Sequence, residues 1–157
     1  MASTKPIPDG FTTVTPSLCL KDCNKAIDFY KKALGAQELM RMPGPDGKIM
    51  HAEIKVGNSH VMMNDEIMGS RSAETLGASP VNFYLYVEDA DGAHKKAIAA
   101  GCKEIMPVAD MFWGDRMGAV SDPYGYKWNF STHIKDLSPE EIKKGQDEWM
   151  KQMAGSR

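Results

Sequence analysis

The sequence gives one arrangement of local signals twice, and this repeat constrains its fold more than any other feature. Leu18-Cys-Leu-Lys-Asp22 is followed by CNKAIDFYKKALG, and Leu85-Tyr-Val-Glu-Asp89 is followed by ADGAHKKAIAAG. Each copy is a short β-like run, an aspartate, and an amphipathic stretch closed by glycine. Asp22 and Asp89 lie 67 positions apart and Ala26 and Ala93 keep that offset; after a one-residue deletion Gly35/Gly101, Glu38/Glu104 and Met40/Met106 follow at 66. The aspartates are placed to cap helices by accepting from an unpaired backbone N–H, and the glycines to end them in the left-handed conformation. Ala26, Ile27, Tyr30, Ala33 and Leu34, and in the second copy Ala93, Ala97 and Ile98, fall at helical spacing, so both helices have one buried face.

Strand patterns follow each helix. Ile49-Met-His-Ala-Glu-Ile-Lys-Val56 alternates, placing Met50, Ala52, Ile54 and Val56 on one face and His51, Glu53 and Lys55 on the other. Gly57-Asn58 predicts a turn with a return strand over 59–64, and Asp122-Pro-Tyr-Gly125 predicts another between strands at 118–121 and 127–132. Each module therefore reads as strand, helix and about three strands. The class is α+β: two βαβββ modules forming a cupped mixed sheet, plus a C-terminal helix. The chain divides into an N-terminal arm (1–10), one domain over 11–134 with modules at 11–64 and 80–134 and a linker at 65–79, and a helix and tail over 135–157. Ser138-Pro-Glu-Glu141 is the start signal of that last helix, a capping box with proline at the first helical position. Its sparse apolar stripe, Ile142, Trp149, Met150 and Met153, packs either on the parent domain or on a second subunit.

With 157 residues, 42% hydrophobic and 25% charged, the chain is long and apolar enough for one packed core. A net charge of −2 offers no basic footprint for nucleic acid or an anionic membrane. No apolar run approaches a membrane span and no hydrophobic leader opens the sequence, so the expected address is cytoplasmic. Three cysteines, Cys19, Cys23 and Cys102, form neither a disulfide framework nor a zinc knuckle, although Cys23 at a helix start is a place where a thiol pKa can fall.

The repeat, the run Asp22, Ala26, Phe29, Tyr30, Leu34 and Gly35, and the Asp122-Pro-Tyr-Gly125 turn resemble the vicinal oxygen chelate superfamily of glyoxalases, bleomycin and fosfomycin resistance proteins and extradiol dioxygenases. Thr15-Pro-Ser-Leu18, Asp46-Gly-Lys-Ile-Met-His-Ala-Glu53, Trp113-Gly-Asp-Arg116 and Asp122-Pro-Tyr-Gly-Tyr-Lys-Trp128 resemble its PhnB-like branch. The resemblance implies curled sheets around a cavity, a small-molecule ligand and a homodimer. It also implies metal-ligand positions at Thr15, Met62, Asn82 and Asn129. None of these residues is an ordinary ligand for zinc or nickel, which favour imidazole, thiolate or carboxylate. The expectation is thus no metal and no cofactor, with Thr15, Met62, Asn82, Asn129 and also Tyr84 contacting an organic ligand.

His51 and Glu53, two apart on one strand face, are the candidate catalytic pair, as base and orienter, as two relocated metal ligands with His60, or as a plain solvent-facing row with Lys55. Arg116 is a ligand-binding candidate because its guanidinium matches a carboxylate or phosphonate; parity would set it and Gly118 opposite the apolar face of their strand, and an internal ion pair is the alternative. His94 and His133 read as surface or capping residues. Three functions remain: a small-molecule binding protein or metal-independent enzyme, a metal-dependent lyase, isomerase or dioxygenase with relocated ligands, and a drug-sequestering resistance protein.

Overall fold

The computed structural model describes residues 5–155. The first module runs β1 (Ser17–Leu20), α1 (Cys23–Leu34), β2 (Gln37–Pro43), β3 (Ile49–Val56) and β4 (Ser59–Asp65). After a one-turn helix α2 (Ala73–Leu76), the second runs β5 (Asn82–Tyr86), α3 (Ala90–Ala100), β6 (Lys103–Asp110), β7 (Asp115–Ser121) and β8 (Lys127–His133), and α4 (Pro139–Gly155) closes the chain. The strand orders are the same in both modules: β1-β4-β3-β2 and β5-β8-β7-β6. In each sheet the first strand runs parallel to the last and the other pairs are antiparallel. Two βαβββ modules are thus present as the repeat implies, and a C-terminal helix follows as the Ser138–Glu141 capping box implies.

The capping signals act as expected. Asp22 accepts from the Lys25 amide and Asp89 from the Gly92 amide, while Gly35 (φ 67°) and Gly101 (φ 119°) end their helices in the left-handed conformation. A second cap comes from the end of each module's last strand. The Cys23 amide donates to Asp65 Oδ1 at 2.6 Å, and at the corresponding place in the second module the Ala90 amide donates to Thr132 Oγ1 at 2.9 Å. Asp65 also accepts from the Ile49 amide at 2.7 Å, so one buried carboxylate ties the helix start to the sheet. In α4, Ser138 and Glu141 form the reciprocal capping box at 3.2 and 2.8 Å.

The core lies between the helices and the covered faces of the sheets, with Leu18, Leu20, Ile27, Tyr30, Ile54, Met63, Val120, Trp128 and Phe130 all 2% exposed or less. The modules meet chiefly through α1 and α3. Tyr30 of α1 donates to Asp122 of the second module at 2.7 Å and its ring packs edge-on to Trp128.

One detail departs from the sequence reading, and two add to it. Met50 is 43% exposed and Ile49 takes the buried place, because a register shift between Met42 and Pro43 displaces the alternation at the start of β3. The segment 65–79 holds α2, whose Ala73 and capping Ser72 are buried; Glu66 Oε1 accepts from the Ser72 amide and hydroxyl at 2.8 and 2.7 Å. The helix α4 buries none of its residues; it touches the domain where Trp149 meets Phe112, their ring centroids 6.0 Å apart.

Candidate functional site

The face of each sheet turned away from its helix carries the polar side chains. On the first sheet, β3 presents His51 and Glu53 between buried Ala52 and Ile54, and β4 presents His60 and Met62 beside buried Val61 and Met63. Glu53 stands between the two imidazoles. His51 Nε2 is 3.1 Å from Glu53 Oε1, and His60 Nδ1 is 3.9 Å from Oε2, outside hydrogen-bond range. His60 Nδ1 is buried with no hydrogen-bond partner among the described residues, and its ring packs at a tilt against Phe11, 4.2 Å between centroids. Register places Met62 and Met40 on either side of Glu53 and Met42 against His51. The result is a carboxylate and two imidazoles rimmed by polarisable thioethers, a surface suited to an organic molecule with a donor group. Among the described residues no group of three or more His, Cys, Asp or Glu side chains is arranged to hold a metal ion.

The remaining expected residues lie elsewhere. Thr15 is half-buried just before β1, where its hydroxyl donates to the Thr12 carbonyl at 3.3 Å. Asn82, Tyr84 and Asn129 are on the second sheet, with Tyr84 paired in register to Asn129 and the Asn129 amide donating to the Phe83 carbonyl at 3.1 Å. No hydrogen bond, ion pair or ring contact joins them to His51 or Glu53 among the described residues.

Arg116 departs from its expected place. It shares the helix-covered face of β7 with Gly118 and Val120, because the side chains of neighbouring strand residues point to opposite faces and Asp115 takes the open one. There it makes a bidentate pair with Asp91 of α3 at 2.6 and 2.7 Å and a third bond to Asp110 at 2.8 Å. Its guanidinium is already engaged. His94 is buried, not superficial, and its Nε2 lacks a hydrogen bond, 3.6 Å from Glu104. Cys23 also reverses its expectation: burial, with the Asp65 charge beside it, pushes its thiol up to about 12, and burial does the same to Cys102. Alkylation of the folded protein near neutral pH is therefore expected to label half-buried Cys19 and spare Cys23 and Cys102, as read by peptide mass spectrometry. Equal labelling of Cys23 would contradict this packing.

The residue of the Trp113-Gly-Asp-Arg116 motif that organises the open face is Asp115, which the sequence reading passed over. It is 2% exposed. Its Oδ2 accepts from Tyr86 (3.0 Å), Ser131 (3.1 Å), Trp113 Nε1 (3.2 Å) and Tyr84 (3.3 Å), and its Oδ1 lies 2.8 Å from His133 Nδ1. His133, within β8 and not after it, reaches Asp136 with its other nitrogen at 3.0 Å. Burial opposes ionisation of Asp115, but the bonds from His133, Tyr86, Ser131 and Trp113 outweigh it and hold the carboxyl below its usual range. The cluster fixes the hydroxyl ends of Tyr84 and Tyr86, whose rings stand 5.4 Å apart. A signal was available in the alternation of Asp115, Met117 and Ala119 on β7 and of Tyr84 and Tyr86 on β5; only the pairing of β8 with both strands, antiparallel to β7 and parallel to β5, brings these sets to Ser131 and His133.

Two βαβββ modules with polar residues on the open sheet faces define a glyoxalase-type fold. The chain belongs to the Glyoxalase/Bleomycin resistance protein/Dioxygenase superfamily, whose model matches residues 12–130. The uncharacterized protein Rv0887c of Mycobacterium tuberculosis is 39% identical over 134 residues, covering 82% of this chain and 79% of its own. The X-ray structure of the Arabidopsis thaliana gene product At5g48480 is similar with a TM-score of 0.64 and 28% identity, over 77% of this chain and 98% of that one. A PhnB protein from Bacillus cereus shares the fold at a TM-score of 0.61 and 15% identity, over 77% of this chain and 99% of that one.

Proposed function

We propose that this chain is a small-molecule binding protein, or a metal-independent enzyme, whose organic ligand rests on the open face of the first sheet. The observation that carries this reading is the Glu53 carboxylate between His51 and His60, flanked in register by Met40, Met42 and Met62 on the sheet face turned away from the described helices. Membership of a superfamily whose members bind small molecules supports it. So does the chemistry of Thr15, Met62, Asn82 and Asn129, which suits hydrogen bonding and apolar contact better than a transition metal. Glu53 accepts a donor from the ligand, and His51 is placed to exchange a proton with it. The chain acts as a homodimer in the cytoplasm, and its open faces are the surfaces that would receive the ligand.

Elemental analysis of protein purified without a metal-binding tag, repeated after incubation with nickel, zinc, manganese and iron(II) and desalting, tests the metal-independent part. Metal near zero is expected. Metal near one equivalent per chain would overturn it and make His51, Glu53 and His60 relocated ligands. A thermal-shift screen of small amines, amides and phenols then tests the site. Compounds that stabilise the wild type are expected to lose about tenfold in affinity with Glu53→Gln and His51→Ala, the loss of one charge-assisted hydrogen bond. Equal affinity in both variants would sink the assignment.

A further inference from the structure

A second recess lies away from Glu53, where the modules join. It is a cleft of about 530 Å³ between the end of α1, the β3–β4 hairpin, β5 and α3. That volume falls within the range of small-molecule sites. Leu34, Val56, Val61 and Leu85 supply aliphatic walls, and Phe83, on the same face of β5 as Leu85, adds an aromatic one. Phe83 is held from behind by its stacking on buried Trp128, their ring centroids 4.5 Å apart. The site's aromatic side is ordered before anything binds.

The charge of the cleft is one-sided. Among the described residues Lys96 of α3 is its only charged lining residue, and no aspartate or glutamate among them reaches the lining. Lys96 makes no ion pair or hydrogen bond among the described residues, whereas Arg41 and Arg116 are each bonded to carboxylates. Its ammonium lies beside Gly35 at the C-terminus of α1, where a Cβ on that glycine would be 3.2 Å from Nζ. The helix end draws the cation there but gives it no full counter-charge.

The geometry points to a binding site for an amphipathic organic anion, with a carboxylate on Lys96 and an apolar body lying along Leu34, Val61, Phe83 and Leu85. An extended alkanoate of about ten carbons suits a recess of this size. A neutral molecule of the same shape gains the apolar contact but leaves the exposed Lys96 ammonium to water and forgoes its attraction. A cation meets Lys96 with no acid to offset it.

Isothermal titration calorimetry of the full chain with sodium decanoate, kept below its micelle-forming concentration, tests the inference. One saturable site per chain is expected. Lys96→Met should weaken decanoate about tenfold and Lys96→Arg only slightly, since the arginine keeps the charge. Decan-1-ol should bind the wild type about tenfold more weakly than decanoate and bind Lys96→Met and wild type alike. Shortening the probe to octanoate should weaken it about tenfold through two fewer buried methylenes. Circular dichroism establishes that the variants fold, and Glu53→Gln should leave decanoate affinity unchanged. Absence of saturable decanoate binding overturns the inference, as does equal affinity in wild type and Lys96→Met. Weakening by Glu53→Gln alone would place the anion on the open face and also overturn it. Loss of the Glu53 site in the screen above leaves these outcomes untouched, so the two sites fail separately.

Discussion

Asp122→Ala is expected to lower the free energy of unfolding by about 4 kcal/mol, because it leaves two buried side-chain donors unpaired at roughly 1–3 kcal/mol each, and frees two amides as well. The Asp122 Oδ2 accepts from Tyr30 at 2.7 Å and Trp128 Nε1 at 2.8 Å, while Oδ1 accepts from the Tyr124 and Tyr126 amides at 2.9 Å each. This carboxylate shapes its own turn and also holds the first module's helix to the second module's last strand. Tyr30→Phe removes only one of the four donors and should lose about 1 kcal/mol. Urea unfolding of the single and double variants gives the coupling between them. A loss below 1 kcal/mol for Asp122→Ala would mean that water replaces these bonds and that the junction is looser than its packing indicates.

Asp115→Ala is expected to cost about 2–3 kcal/mol, since Ser131 is fully buried and loses its acceptor, Trp113 is half-buried, and the half-exposed tyrosines can turn to water. A second readout separates this from generic damage. Asp136, and then Asp115, raise the His133 pKa above its ordinary 6.5. Protonated His133 therefore stabilises the fold fully below pH 6.5, and this contribution disappears as pH rises through the higher folded pKa. In Asp115→Ala the His133 resonance should titrate lower in NMR, though still above its ordinary value because Asp136 remains. The stability gap between wild type and variant should narrow as pH rises through that range. An unchanged His133 titration would show that the Asp115–His133 bond does not form in solution.

The sequence by itself determined the two βαβββ modules, their capped helices, the alternation of β3 that puts His51 and Glu53 together, and the start of α4. These are local properties: an N-cap needs only the next three residues, a strand face only alternate ones, and a repeat only comparison of the chain with itself. The same local rules explain where the reading failed. Arg116 and Asp115 are adjacent, so parity guarantees opposite faces but does not say which face the helix covers. A single register shift in β2–β3 was enough to expose Met50 and bury Ile49. Only the tertiary structure decided these sides, and only it made Asp122 a junction, Asp115 an anchor and Lys96 the lone charge of a cleft. Each of those roles depends on partners 29 to 92 positions away or on the packing of two modules, contacts formed by chain closure that no short window of sequence contains.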